Sequence, residues 1–92
     1  MKAELTTIRN ESLSIANSLR LGRNIEVSEK IVSLTQLLGE LATSLTPKQL
    51  NDLHPILIDL LAAQERSDWL CLADYLEYEL IEFLDENSKN ND

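Results

Sequence analysis

Residues 67–84 read SDWLCLADYLEYELIEFL, and this stretch decides the fold class. At about 100° per residue, Trp69, Leu72, Ala73, Leu76, Leu80, Phe83 and Leu84 fall within an arc of roughly 120°, the stripe a helix turns toward a core. Asp74, Tyr78, Glu82 and Asp85 lie opposite, with Cys71 alongside. Leu70, Glu77 and Ile81 occupy one flank, and Tyr75, Glu79 and Glu86 the other. Ser67 or Asp68 supplies an N-cap, where a negative side chain also meets the positive end of the helix dipole. The acidic far end (Glu82, Asp85, Glu86) opposes that dipole, so fraying is expected there. A disordered polar tail, residues 87–92, is expected after a single helical domain spanning residues 1–86.

Working outward, residues 46–49 form a capping box: Thr46 at the N-cap, Pro47 at the first helical position and Gln49 at the third. Leu45 and Leu50 are placed to form the hydrophobic staple. The helix that follows is expected to bury Leu50, Leu53, Leu57, Leu60, Leu61 and Gln64. Pro55 removes one backbone hydrogen bond and disfavours helical geometry at His54. The phase of Leu50 and Leu53 continues into Leu57 and Leu60, which favours a kinked helix over a break and a new start at Pro55.

Toward the N-terminus, Val27, Ile31, Leu34, Leu38, Leu41 and Leu45 make a second stripe, and Met1, Leu5, Ile8, Ser12, Ile15, Leu19 and Gly22 a third. The two are out of phase by roughly 80°, and the break falls at Gly22-Arg23-Asn24. Gly22 suits a left-handed helix end and Asn24 a new start. Two helices with a tight turn are expected here, with one long bent helix as the alternative. The first segment is rich in Thr, Ser and Asn, which lower helix propensity, so it depends on packing. Helices joined by such short turns pack as antiparallel neighbours. The expected fold is an all-α, antiparallel up-down bundle of four helices, or three if the first is long and bent.

Composition agrees with an all-α chain: two glycines and two prolines in 92 residues are too few for the turns of an all-β domain. The formal net charge is −8 and is unevenly placed. Residues 1–58 carry six acids and six bases, whereas residues 59–92 carry ten acids against Arg66 and Lys89. Such a surface disfavours nucleic acid and anionic membranes and suits a basic protein patch. Cys71 is the only cysteine, so no intrachain disulfide forms and a reducing compartment is expected. The N-terminus lacks the apolar segment of a signal peptide. The longest apolar run, residues 55–63, is short and interrupted by Asp59, so no membrane span is expected. The expected location is the cytoplasm.

Catalytic chemistry finds little to work with. His54 is the only histidine, so a di-iron carboxylate bundle lacks its ligands. Glu79/Glu82 and Glu82/Asp85 are spaced to bridge a hard cation, although calcium needs six to eight oxygens in a shaped loop. Cys71 stands beside Asp68, Asp74 and Tyr75, which disfavour a thiolate. No glycine-rich phosphate loop is present. No enzyme, cofactor or resident metal is expected. What remains is aromatic and apolar surface beyond the need of one packing face, and Trp69, Leu70, Tyr75, Tyr78 and Ile81 are the expected partner-binding residues.

Leu53–Glu65, LHPILIDLLAAQE, followed by Ser67–Leu80, SDWLCLADYLEYEL, resembles small uncharacterised bacterial all-helical proteins with an LxPILxxLLxAxE…D[WY]xxLADxLEYEL pattern, Trp69 holding the aromatic position. The resemblance covers about a third of the chain and implies no activity. A looser similarity, an Asp68-Trp69 helix start after the small residues Ala62 and Ala63, is to flagellar export chaperones. That similarity implies a helical adaptor holding an amphipathic helix of a partner in an apolar groove. The alternatives are a self-assembling, dimeric structural protein, in which a second copy completes the thin first helix, and a carboxylate-based ion-binding protein using Asp74, Glu77, Glu79 and Glu82.

Overall fold

The least helix-favouring segment of the chain lies at the centre of the structure. The computed structural model describes residues 2–90, with side chains from residue 4 to residue 87 except that of Asn24. Helix α1 (Lys2–Arg20) packs against α2 (Asn24–Ala42) on one side. On the other it meets a continuous rod made of α4 (Trp69–Asp74), a π-helical turn (Tyr75–Glu79) and α5 (Leu80–Asn90). Helix α3 (Pro47–Glu65) packs on that same rod. The described residues contain no strand, and none of their helices is long and apolar enough to cross a membrane. Leu5, Ile8, Ile15, Ala16 and Leu19 of α1 are buried, and Ser12 is 0% exposed. Small side chains at 12 and 16 let the neighbouring helices approach closely, so enclosure stabilises a helix whose propensity is low.

Gly22 separates the first two helices and removes the single bent helix as an alternative. Its φ is +77°, its amide donates to Leu19 O and that of Arg23 donates to Ser18 O, the paired bonds of a Schellman ending. The same geometry recurs after α3 with a non-glycine residue. Ser67 has φ +55° and donates to Gln64 O while Asp68 donates to Ala63 O. Of the two cap candidates, Asp68 is therefore the N-cap, accepting from Cys71 N at 3.3 Å, and Ser67 holds the left-handed position. Ser67→Gly is expected to raise stability by about 0.5–1 kcal/mol by relieving that conformation. A shifted urea midpoint at unchanged slope would measure it; an unchanged or lowered midpoint would contradict it.

The capping box is present: Gln49 N donates to Thr46 Oγ1 at 3.2 Å and Thr46 N donates to Gln49 Oε1 at 2.9 Å. Helix α3 runs through Pro55 without a break. Its burial is narrower than its apolar spacing suggests. Leu53, Leu60 and Ala63 are buried, Leu57 is only partly so, and Leu50 and Leu61 are exposed.

The last rod departs from a straight helix at Tyr75–Glu79. Leu80 N–H donates to Tyr75 O, five residues back, which is the π pattern. The extra residue rotates everything beyond it by roughly one residue's step, about 100°. Ile81 thereby moves from the flank onto the core stripe and is 9% exposed. From α1, the Ser12 hydroxyl donates to Leu76 O inside this turn at 2.7 Å.

The rod also continues past the expected start of the polar tail. Asn87 is buried; its side-chain amide donates to Phe83 O and its oxygen accepts from Gln49 Nε2, both at 2.7 Å. Arg9 holds Asp85 at 3.1 Å, opposing the fraying expected of the acidic end. The helix is described through Asn90, and the rest of the expected tail, residues 91 and 92, lies outside the described residues.

Candidate functional site

The five residues expected to form one contact surface do not do so. Trp69 and Tyr75 pack partly buried against the core, and Ile81 lies within it, a correction that follows from the rotation at the π-turn. Leu70 and Tyr78 remain, at 65% and 64% exposure. The acidic face is partly neutralised from within the chain, because Arg20 reaches Asp74 at 2.8 Å and Glu77 at 3.1 Å. Pairs this exposed contribute on the order of 0–1 kcal/mol, but they remove Asp74 and Glu77 from the expected carboxylate series. Among the described residues, no three His, Cys, Asp or Glu side chains gather as metal ligands would.

Both tyrosines titrate above the ordinary value of 10.0. The charge of Asp59, with Cys71 beside it, raises Tyr75, and a hydrogen bond to Glu77, with its charge, raises Tyr78. The protonated phenols are the forms the fold favours. Their contribution to stability is complete below about pH 10 and is lost as the pH rises through the raised folded-state values. An alkaline titration followed by phenolate absorbance is expected to show both groups above the free phenol, with Glu77→Gln bringing Tyr78 back toward it. Ordinary titration of both groups would contradict these contacts.

The surplus apolar surface lies elsewhere, between α2 and α3. Ile31, Leu34 and Leu38 form one wall with the small residues Thr35, Gly39 and Ala42 at its edge. Leu57, Leu60, Leu61 and Gln64 form the other, and Leu72 and Leu76 form the floor. Its volume is about 210 Å³. A second depression of about 220 Å³, lined by Leu50, Asn51, Leu53 and His54, shares Ala42 and Leu57 with the first. Together they make one groove along α3. The small edge of α2 does not reach across to α3, so the two helices leave the seam open. No Asp, Glu, Lys or Arg lines either depression, in a chain where 26% of residues are charged.

A larger cleft of about 580 Å³ between α3 and the last rod has the opposite character. Lys48, Asp52, Glu79, Glu82 and Glu86 line it above the Gln49–Asn87 pair, and it is open to solvent.

One signal for the groove was present in the sequence. Ser28, Val32, Thr35, Gly39 and Ala42 repeat at 4-3-4-3 spacing beside the buried stripe of α2. Leu50, His54, Leu57, Leu61 and Gln64 repeat at the same spacing on α3. Two uncharged seams of this period are what a third helix would need on either side of it.

Chemically, this site offers apolar contact and a few hydroxyl and amide groups at the edge, with no nucleophile or acid–base pair. Compared with models of protein families, with curated proteins and with solved structures, the chain matches none of them.

Proposed function

We propose that this chain is a non-enzymatic helical protein-interaction module of the cytoplasm, an adaptor of the export-chaperone kind, built as an antiparallel up-down bundle. Its groove between α2 and α3 receives the apolar face of an amphipathic helix. The observation that carries this reading is the uncharged, apolar, helix-length seam on an otherwise strongly charged chain. Helix-in-groove recognition uses such seams, with anchors at i, i+3, i+4 and i+7 entering between two walls. Opposite senses of α1 and the last rod support the bundle: Arg9 meets Asp85, Ser12 meets Leu76 and Arg20 meets Asp74. The looser similarity of Ala62-Ala63 and Asp68-Trp69 to flagellar export chaperones is in keeping with a groove that holds a partner's helix.

The test is a titration of isotope-labelled protein with a neutral amphipathic peptide of leucine, alanine and glutamine, followed by amide chemical shifts. Shifts are expected along Thr35, Gly39, Leu57 and Leu61, and Leu61→Glu should abolish them. Shifts centred instead on Leu70 and Tyr78, or none at saturating peptide, would overturn the assignment of the groove.

A further inference from the structure

We propose, resting on that reading of the groove, that its resting occupant is α3 of a second copy of this chain, in a two-fold symmetric dimer. The structure sets a groove and a matching ridge side by side. Leu50, Ile58 and Leu61 project from α3 on the outer edge of the groove, Leu61 at 55% exposure. On α2, Val32 stands exposed beyond the opposite edge. A two-fold axis along this edge seats the α3 ridge of each copy in the groove of the other, which is the self-complementary arrangement an isologous interface requires.

Charge selects the same face. Each copy carries −8, and residues 66–92 hold eight acids against Arg66 and Lys89, so contact through the last rod would oppose like charges, a costly juxtaposition. The acids of α3 itself, Asp52, Asp59 and Glu65, line neither depression. Residues 1–58 are balanced, and both depressions lack ionised aspartate, glutamate, lysine and arginine. Two copies meeting there keep their acidic surfaces apart and exclude water from leucine and isoleucine side chains. A partner helix and the second copy then compete for one groove, and the dimer is the form that a partner must displace.

Sedimentation equilibrium of the full chain over the micromolar range is the test. The wild type is expected at twice the monomer mass, with Leu61→Glu at the monomer mass. Tyr78→Glu, on the other surface, should remain dimeric. Ile58→Lys, at a side chain already half in solvent, gives a second reading should Leu61→Glu lose its helical circular dichroism. A dimer that survives both α3 substitutions, or a wild type that is monomeric at high micromolar concentration, overturns the proposal. In the monomeric case the neutral peptide separates the two failures. Shifts in the groove on adding peptide leave the docking reading intact and remove only the dimer. Their absence removes both.

Discussion

Ser12→Leu is expected to be the most damaging single substitution in this protein, lowering stability by more than about 3 kcal/mol. Two independent costs combine at this position. Ser12 is fully enclosed between α1 and the π-turn, so the added carbons must push helices apart, at about 1–3 kcal/mol for an overpacked core. Leu76 O also loses the hydroxyl that donates to it at 2.7 Å, and a buried polar group deprived of its partner costs about 1–3 kcal/mol. Ser12→Ala isolates the second cost and is expected to lose about 1–2 kcal/mol. Domains of this kind have only about 5–15 kcal/mol in total, so Ser12→Leu should approach or cross the folding threshold at physiological temperature. Guanidinium denaturation followed by helical circular dichroism measures both variants. A leucine variant as stable as the wild type would show that α1 does not lie against the turn as described.

Leu76→Ala is expected to cost about 2–5 kcal/mol, the range for removing a buried leucine side chain. Leu76 is 2% exposed and lies between the core and the floor of the groove. Truncation therefore opens a void that joins the groove instead of sealing inside the protein. Walls bordering an open seam relax more readily than those of a closed core, which places this loss nearer the lower end of the range. Leu80→Ala, at a position fully enclosed, should lose more. Paired denaturation curves decide the order. If Leu76→Ala proved the more harmful, Leu76 would be holding the π-turn in addition to filling space.

Much of the architecture was legible because local chemistry specified it. Thr46 and Gln49 cap each other within four residues, and Gly22 supplies a left-handed ending that few other residues adopt, so both helix boundaries followed from nearest neighbours. The stripe of α1 was equally readable, although its Ser, Thr and Asn content gave no hint that it would be packed between α2 and the last rod. That enclosure depends on packing between helices.

The π-turn was not legible for the same reason. Its carbonyl is met by a hydroxyl 64 positions away in sequence, and without that contact residues 67–84 read as a regular α-helix. Regular winding puts Ile81 on a flank of the rod, whereas it is buried. Serine and aspartate at 67 and 68 both cap helices well, and only the backbone sign at Ser67 separates their roles. The groove is not legible because spacing alone assigns every leucine of α3 to the core. Whether Leu50 and Leu61 find a neighbour depends on the width of α2's edge, where Thr35, Gly39 and Ala42 have too little side chain to reach them.

The five-residue turn between Tyr75 and Glu79 also bears on how this chain is related to others by descent. It is the trace of one residue more than an unbroken α-helix would hold, so losing a residue there need not destroy the helix. Deletion would restore ordinary winding and leave each residue beyond the turn, Ile81 included, on the face it now occupies, because the turn absorbs the extra residue. An ancestor or descendant with regular winding would therefore differ from this chain by a one-residue gap at the turn, with the order of apolar and polar positions beyond it kept.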